Sequence, residues 1–510
     1  MTMKEDGSNK LINIRPLCVA ALCLIAGILC GYFTYVYGWW VNAIFVAVFL
    51  VAIIFVRFYK FKENRRALVL LLVALLIFTI GYLRTSISVI NAKNAPSISG
   101  EVTLVGVIDD MSTSEGVQKI TLNSCSVNGD KLNGKVVFYI NTVSGLSDAD
   151  LGYRILLNCN INKNDGKYNN AASFLGGIYY TAKSVTNISI INSEPNLLQF
   201  LFKEVRSFLR NNLSKEAFPY ALALLLGDTS HMPSVSYANF QMAGIAHVFA
   251  VSGLHMGVFI SIFSFLSKRI KANAVAKCIF ILLPAFLYCG LCGFNSSTLR
   301  AFVMAAITLL ATNTGFKRDG LSSVAVAAVG ILLVKPMELF GVGFRLSFMA
   351  VIAIFTLAPV FNRGSRGVKF VGEPLSVSLS AQLGTMPILA DMSGYTSIIA
   401  VFANLIFVPL MVFIYILTFV CTIFGLIESA IFQNASVSMF LPEVLINFAS
   451  KTIGIVNFHA FTIPTHFHAL RIVWYIGLAA LSDTVNLTLK NKSVIVGLCL
   501  ALCVIFGMIL

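Results

Sequence analysis

Charged residues are scarce in this sequence, and acidic residues are the scarcest of them. Asp, Glu, Lys and Arg make up 12% of the 510 residues, whereas a soluble protein carries about a quarter. This shortage excludes a soluble globular protein. With 57% hydrophobic residues, the composition instead predicts a polytopic α-helical membrane protein. The net charge of +15 mainly reflects Lys and Arg in cytoplasmic loops, so it is weak evidence for a polyanionic partner.

Sequence motifs of common enzymes are also missing. The chain has no G-x-x-x-x-G-K-[ST] motif, which excludes nucleotide hydrolysis by a P-loop. Its 11 cysteines form no Cys/His ladder of the zinc-site type, and the histidine cluster His459–His468 contains no acidic residue. We therefore predict no catalytic residues, no metal and no cofactor.

Three apolar runs open the chain, at Leu17–Gly38, Trp39–Val56 and Ala67–Leu83. The segment "RFYKFKENRR" between the second and third has 5 Lys or Arg in 10 residues and is predicted to be cytoplasmic. The N-terminus is then cytoplasmic as well, and the chain emerges outside after the third run. Because Leu17–Gly38 has no A-x-A cleavage pattern, we interpret it as a retained span of an N-terminal three-span region, residues 1–96.

Residues 97–190 differ in kind from the apolar runs. The stretches "GEVTLVGVIDD", "QKITLNSCSV", "GKVVFYI", "YRILLNCNI" and "GIYYTAKSV" predict short strands separated by turns. Such a set favours a small extracytoplasmic β-barrel like the oligonucleotide/oligosaccharide-binding (OB) fold, inserted after the third span. Its 7 Lys and Arg against 8 Asp and Glu argue against a basic nucleic-acid surface overall. Cys125 and Cys159 could form a disulfide outside the membrane; the alternative is two free core thiols.

An amphipathic interfacial helix is predicted within residues 191–215, before a multi-span domain at 216–510. Its apolar stripe holds Leu198, Leu201, Phe202, Val205, Phe208 and Leu209, while Lys203, Arg206 and Arg210 lie off the stripe. We expect nine to twelve spans in the whole chain. The apolar run from Thr396 to Glu428 is too long for one span and contains Pro409, which favours a broken helix or two spans.

The stretch "HVFAVSGLHMG" combines several polar residues with apolar surroundings. Ser252 lacks the first glycine of a G-x-S-x-G nucleophile motif, and His247 and His255 lie too far apart for a helical zinc pair. Ser252 and His255 can meet on one helix face, and Gly253 with Gly257 allows a neighbouring helix to approach. Three interpretations remain open: a tightly packed helix with hydrogen bonds across the bundle, part of a polar pathway, or an intramembrane hydrolase built on Ser252 and His255.

Other polar residues in the second half of the chain could likewise hold the bundle together or line a polar pathway. They supply more hydrogen-bond donors than acids, which suits a polyanion or a polar solute better than a lipid. For the arginines, extension of the side chain to the membrane surface is the alternative. These residues are Asp228, His231, Asn295, Arg300, Arg345, Gln382, Asp391 and Asn404.

Several of these stretches resemble the ComEC-type competence proteins, which bring transforming DNA across the bacterial inner membrane. The resemblance lies in "GDTSHMPSVSYANFQMAGIAHVFAVSGLHMGVF", "CGFNSSTLRAFVMA", "GVGFRLSFMAV" and "AQLGTMPILADMSGYTSIIAVFANLIFVPL", which occur in the order of the family's motifs. The motif positions fall on Gly227, Asp228, His247, Ser252, Gly253, His255, Arg300, Gln382 and Asn404, whereas Arg345 stands where the family more often has Gln.

The resemblance implies a channel of the bacterial plasma membrane that internalises single-stranded DNA beneath an external OB-like domain. It implies contact with membrane lipid and with a DNA receptor outside the cell. Many members add a metallo-β-lactamase-like nuclease domain with an H-x-H-x-D-H motif, which this sequence lacks. We therefore expect a form without that domain, served by a separate nuclease. Energy would come from a cytoplasmic ATPase, or from the proton gradient with His247, His255 and Asp228 titrating.

A secondary transporter of another polar or anionic solute is the rival interpretation. Such a carrier predicts an inverted repeat with paired broken helices. The sequence shows no convincing internal repeat, which favours the channel.

Overall fold

The structure is a computed structural model that describes most of the chain. The described residues are 15–38, 40, 65–98, 100–114, 117–141, 152–164, 173–174, 176–191, 197–294, 296–314, 319–364, 369–397, 399–432, 439–455, 462–464, 471–482, 491–492 and 494–499. Four features of the sequence lie wholly or mostly outside them: the second apolar run, the basic cluster that follows it, Asn295, and the histidines at 459–468.

Helices dominate the described residues. They are α1 Pro16–Tyr37, α2 Arg65–Lys93, α3 Leu197–Asn212, α4 Phe218–Leu226, α5 Ser234–Met242, α6 Gly253–Ser267, α7 Ala274–Leu291, α8 Ser296–Thr314, α9 Gly320–Val334, α10 Val342–Gly364, α11 Lys369–Ser393, α12 Ala400–Phe432, α13 Phe440–Ile455 and α14 Arg471–Leu481. The strands are β1 Glu101–Ser114, β2 Val117–Val127, β3 Lys135–Asn141, β4 Arg154–Lys163, β5 Ile178–Ile191, β6 Tyr395–Ser397 and β7 Thr462–Pro464. A further strand of two residues, Asp130–Lys131, pairs with β2.

The helices confirm a polytopic membrane protein. Within the described residues, 6 helical segments are long and apolar enough to cross a bilayer, and 3 shorter apolar helices accompany them. The total of nine to twelve spans stays a prediction. The run around Pro409 is one continuous helix, α12, so it is neither broken nor divided into two spans. A proline can stay inside a membrane helix when neighbouring groups satisfy the backbone it disturbs.

Strands β1 to β5 close into the small barrel that the alternation predicts. Around the barrel the order is β1-β2-β3-β5-β4 and back to β1, with β3 and β5 parallel and the other neighbours antiparallel. This is the strand order of an OB fold. Inward-facing apolar side chains fill the barrel, among them Ile120, Leu122, Phe138, Leu157 and Tyr180.

The expected disulfide between Cys125 and Cys159 is not formed. Both cysteines are free thiols, and each is only 1% exposed in the barrel core. Burial raises the pKa of Cys125 to about 12 and that of Cys159 to about 11, because the core disfavours a thiolate. The two side chains therefore pack as small apolar groups.

The barrel rests on one end of α1, α2 and the turn after α9, and we call this the barrel end of the bundle. Tyr32, Val89 and Met337 pack against the barrel core. Arg84 donates to the carbonyl groups of Leu333 and Val334 at 3.0 and 3.1 Å, which satisfies the last turn of α9. A salt bridge of 2.9 Å joins Arg15 to Asp319 at the opposite end.

The buried thiols predict how the barrel responds to alkylation and to pH. In the folded protein in detergent at pH 8, iodoacetamide should modify Cys125 and Cys159 far more slowly than after denaturation, because the thiolate is the reactive form. Both pKa values lie above the ordinary 9.0. Protonated thiols therefore support the fold below about pH 9, and this support is lost as the pH rises through 11 to 12.

Mass spectrometry of the alkylated peptides measures the first effect, and thermal unfolding at pH 8 and pH 11 measures the second. Each measurement should be compared with a Cys125→Ala, Cys159→Ala variant. Equal labelling of native and denatured protein at these two cysteines would contradict the buried arrangement.

Candidate functional site

Gly227 and Asp228 occupy the turn that ends α4. Gly227 has φ of +77° and its N–H donates to the Ala223 carbonyl at 2.9 Å, a left-handed conformation that favours glycine. A Cβ at this position would lie 3.2 Å from Val251 Cγ2. Gly227 and Val251 belong to two motif segments and are 24 residues apart in the sequence. The two segments therefore touch beside Ser252.

A chain of hydrogen bonds connects this turn to the amphipathic helix α3. Arg206 lies 2.7 Å from His231 Nε2, and Ser230 Oγ lies 2.9 Å from His231 Nδ1. Ser230 also donates to Asp228 through its hydroxyl and through its N–H, the latter at 3.0 Å. Since an arginine can only donate, His231 Nε2 accepts and Nδ1–H donates to Ser230.

Arg206 lies off the apolar stripe of α3, as the sequence predicted, and is nevertheless buried. The apolar stripe itself is confirmed, with Phe208 and Leu209 buried in the core. Arg206 is only 2% exposed, because the turn after α4 offers it polar partners inside the protein. A sequence pattern shows which face of a helix is polar, but not what that face meets.

Ser252 and His255 do meet, as their spacing predicted, and they form a capping box at the start of α6. Ser252 N–H donates to His255 Nδ1 at 3.3 Å, and the Ser252 hydroxyl accepts from the backbone N–H of His255. Ser252 Oγ also lies 3.2 Å from His255 Nδ1. Gly253 faces Ala301 of α8 at 3.8 Å, whereas Gly257 has no described atom within 4 Å of a Cβ. The predicted close approach thus holds for Gly253 but not for Gly257.

His255 is buried against Tyr415, a residue that the sequence pattern did not single out. Its ring meets the Tyr415 ring edge to face, with the centroids 4.4 Å apart. The Tyr415 hydroxyl donates to that of Tyr288 at 3.2 Å, which donates to the Leu225 carbonyl at 2.8 Å. His255 Nε2 is buried and has no hydrogen-bond partner among the described residues.

His247 lies outside this capping box. It belongs to a short 3₁₀ turn, its ring is exposed, and its Nδ1–H donates to the Gly244 carbonyl at 3.2 Å. Gly244 has φ of +74° and abuts Ala400 so closely that a Cβ would clash. This contact brings the segment before α6 against the start of α12.

Two arginines lie on neighbouring helices. Arg300 of α8 is 6% exposed, and its guanidinium lies 5.8 Å from the Phe348 ring centre and 4.0 Å from Met304 Sδ. Arg345 of α10 is half-buried. The Nε of each arginine is buried without a hydrogen-bond partner among the described residues. A hydroxyl contact of 3.3 Å between Ser347 and Ser297 joins the two helices.

Gln382 and Asn404 lie together where α11 meets the start of α12. Gln382 Nε2 donates to the Ser397 carbonyl at 3.4 Å, and Asn404 Nδ2 donates to Ser378 Oγ at 3.2 Å. Ser397 Oγ and Asn404 Oδ1 are buried without a partner in the described structure. Sequence reasoning missed Ser378 and Ser397, because single serines in apolar runs carry no distinctive signal.

Helix α14 docks beside this polar cluster and supplies a hydrogen-bond donor that α11 lacks. Pro387 has no N–H, so it leaves the Leu383 carbonyl without its helical donor. Trp474 Nε1 donates to that carbonyl at 3.0 Å, and the Tyr475 hydroxyl donates to Gly384 at 3.2 Å. One turn away, Arg471 and Asp391 form a salt bridge of 2.8 Å.

A small cavity lies elsewhere in the bundle. Its volume of about 10 Å³ has space for one water molecule, so it is no passage for a polynucleotide. Its mostly apolar lining is Tyr220, Leu224, Phe240, Met411, Ile446, Ala449 and Ser450.

Four motif residues share one physical property: His255, Arg300, Arg345 and Asn404 each have a buried polar atom without a partner among the described residues. Such an atom costs about 1–3 kcal/mol, so it calls for an explanation. Three of the four atoms belong to donor groups on histidine and arginine. The arrangement is suited to meeting an incoming acceptor rather than a cation.

A known protein family matches the part of the chain that contains these motifs. The Competence family, described as "Competence protein", matches residues 224–484, about half of the chain. The chain belongs to this family. Every candidate from Gly227 to Asn404 lies within the matched range, and the ComEC-type resemblance is confirmed.

Individual relatives match this chain over only part of their own length. ComE operon protein 3 of Bacillus subtilis (strain 168) is 28% identical over 285 residues, which cover 56% of this chain and 36% of that protein. Competence protein ComA of Neisseria gonorrhoeae is 28% identical over 197 residues, 34% of this chain and 27% of that protein. An uncharacterized protein of Aquifex aeolicus (strain VF5) is 27% identical over 264 residues, 48% and 61%.

The chain thus spans from 27% to 61% of the length of these relatives. No solved structure gives a significant match to it.

The indole of Trp474 predicts a measurable contribution to stability. Trp474→Phe keeps an aromatic ring but leaves the Leu383 carbonyl without a donor, which should lower the free energy of unfolding by about 1–2 kcal/mol. Unfolding of the detergent-solubilised protein by dodecyl sulfate measures the change. Trp40→Phe is the matched control, because its indole also donates to a carbonyl but is 51% exposed. Equal effects of the two substitutions would contradict the role assigned to Trp474.

Proposed function

We propose that this protein serves DNA uptake in natural transformation, and that its helix bundle conducts a single strand of DNA inward. Membership of the competence family supports the first part of the proposal. The second part is supported by the buried polar atoms that lack partners at His255, Arg300, Arg345 and Asn404. Three of these atoms, on His255, Arg300 and Arg345, would be donors for a polymer of anions.

Conduction of DNA across a bilayer carries a large electrostatic cost. Single-stranded DNA carries about one negative charge per nucleotide, and each charge placed in hydrocarbon costs about 2.5 kcal/mol or more. Transit therefore needs a path lined by donors, with contacts weak enough to release each phosphate. Isolated donors such as Arg300 and Arg345, each on a different helix, meet this requirement better than one tight cluster of arginines would.

The barrel is the element that first meets the strand in this proposal. Tyr139 on β3 is 56% exposed and pairs across the sheet with exposed Lys119 on β2. An aromatic ring beside a cation suits a stacked base and its phosphate. The hydroxyl of Tyr153, another aromatic residue of the domain, instead accepts a hydrogen bond of 3.2 Å from Lys203 Nζ of α3. Tyr168 lies outside the described residues.

The remaining partners follow from what the channel needs. A receptor outside the cell would supply DNA, a separate nuclease would remove the second strand, and a cytoplasmic ATPase would supply energy. The protein would span the bacterial plasma membrane with its N-terminus in the cytoplasm, because the basic loops then lie inside.

Separate measurement of DNA binding and DNA internalisation in a transformable host tests the channel. Deletion of the gene should abolish entry of labelled DNA into a nuclease-resistant state while leaving DNA bound at the cell surface. Asn404→Ala should reduce internalisation roughly tenfold or more, because a buried polar contact of the pathway is removed.

Complementation with the wild-type gene is the control for the deletion. Asn273→Ala is the matched control for the substitution, because Asn273 is an exposed helix cap on α7. Normal internalisation by the deletion strain would refute the proposal and leave transport of another anionic or polar solute.

A further inference from the structure

The turn between α6 and α7, residues 268–273, carries a concentrated positive charge, and we call it the basic turn. Its exposed cations are Lys268, Arg269 and Lys271. No described carboxylate forms a salt bridge with any of the three. The sequence contains no Asp or Glu between Asp228 and Asp319, so no acid lies near this turn along the chain. The three charges are therefore available to an anionic partner.

Apolar side chains beside the basic turn are exposed as well. Phe265 is 60% exposed, Val275 67% and Ile279 58%. Both α6 and α7 have the length and apolar character of membrane spans, so these side chains face acyl chains rather than water. The Arg269 guanidinium lies 5.9 Å from the Phe265 ring centre, a cation–π contact that joins the charged surface to the apolar one.

Hydrogen bonds hold the basic turn in one conformation. The N–H groups of Lys268, Arg269 and Ile270 each donate to the carbonyl group three residues earlier, at 3.1 to 3.2 Å. Asn273 caps α7, because its side chain accepts from the Ala276 N–H at 2.8 Å. The cations are thus presented from a fixed backbone, which reduces the entropy lost when a ligand binds.

The basic turn lies at the end of the bundle opposite the barrel. Helix α7 ends beside α3, where a Cβ on Gly290 would lie 2.9 Å from Leu198 Cδ1. Helix α3 in turn meets the barrel, since Lys203 Nζ donates to the Tyr153 hydroxyl. The 18 residues of α7 span about 27 Å, so its first residue lies roughly one hydrocarbon thickness from the barrel end. In the proposed topology this is the cytoplasmic surface.

From these contacts we infer that the basic turn binds an anionic phospholipid, whose headgroup phosphate meets the three cations while its acyl chains lie against Phe265 and Val275. A lipid with a net negative headgroup, such as phosphatidylglycerol, matches both parts of this surface. An acidic protein segment or a DNA strand would leave the apolar part uncovered. The bound lipid would hold the ends of α6 and α7 at the headgroup level, whether or not the bundle conducts DNA.

The experiment uses the full chain in phosphatidylcholine nanodiscs that contain about one tenth phosphatidylglycerol. A trace of either lipid with a photoactivatable acyl chain is added, and mass spectrometry measures labelling of the segment 265–279. Phosphatidylglycerol should label this segment roughly tenfold more than phosphatidylcholine, because each cation near an anionic headgroup contributes about fivefold before screening by salt. Exposed apolar residues of α13 provide an internal control without headgroup preference: Phe440, Leu441 and Phe448.

Substitution of the three cations tests their role. Lys268→Gln, Arg269→Gln and Lys271→Gln together should reduce the preference for phosphatidylglycerol to within about twofold of one, because the headgroup loses its counter-charges. The swap K268R, R269K, K271R keeps the charge and should keep the preference. A matched control removes two Lys and one Arg from exposed positions of the barrel, through K131Q, R154Q and K183Q. This control should also keep the preference, and thermal unfolding verifies the fold of each variant.

Two competitors distinguish the lipid from other anions. Glycerol phosphate has a charged headgroup without acyl chains, and an oligothymidylate has the phosphates of DNA. Neither should reduce labelling of the segment 265–279 at the same total phosphate concentration as the phosphatidylglycerol. Displacement by glycerol phosphate would assign the turn to a free phosphate, and displacement by the oligothymidylate would assign it to DNA.

Either displacement overturns the lipid site. Equal labelling of the segment by the two lipids in the wild type also overturns it, as does an unchanged preference in the triple Gln variant of the basic turn. The comparison in the wild type needs no variant, so the inference stays testable even where a substitution prevents folding.

Discussion

The need to satisfy polar groups away from water governs the structure of this protein. A bilayer offers no hydrogen bonds to a backbone or a side chain, so each polar group inside the bundle has a partner, reaches the surface, or remains at a cost. Many of the contacts between elements are such partnerships. Arg84 donates to a carbonyl group in the last turn of α9, and Trp474 donates to the carbonyl group that Pro387 leaves without a donor. Arg206 joins α3 to the turn after α4.

Polar residues of the bundle therefore divide into two groups. In the first, which includes His231 and Gln382, hydrogen bonds join one element of the fold to another. In the second, which includes His255 and Arg300, one buried atom lacks a partner in the described structure. The motif contains members of both groups, so membership of a motif does not by itself indicate contact with a transported molecule. Local geometry distinguishes structural polar groups from those available to a ligand.

The fold was predictable where a regular pattern repeats. Alternation of apolar residues identified the strands of the barrel, and long apolar runs identified the membrane helices, because both patterns follow from the period of the backbone. The errors fall where partners are distant in sequence. The disulfide between Cys125 and Cys159 was wrong because both side chains enter the barrel core as thiols. The break expected near Pro409 was wrong because α12 continues through the proline, whose disturbed backbone neighbouring groups can satisfy.

The sequence alone determined the membrane location, the inserted β domain and the contact between Ser252 and His255, since hydropathy, alternation and helical spacing are local properties. Only the tertiary structure decided which polar atoms are satisfied. It paired Trp474 with α11 across 91 residues, brought Tyr415 to His255, and left Arg300 with an aromatic ring and a sulfur atom. The physical reason is that hydrogen bonding depends on distances of a few ångströms between residues that the sequence keeps far apart.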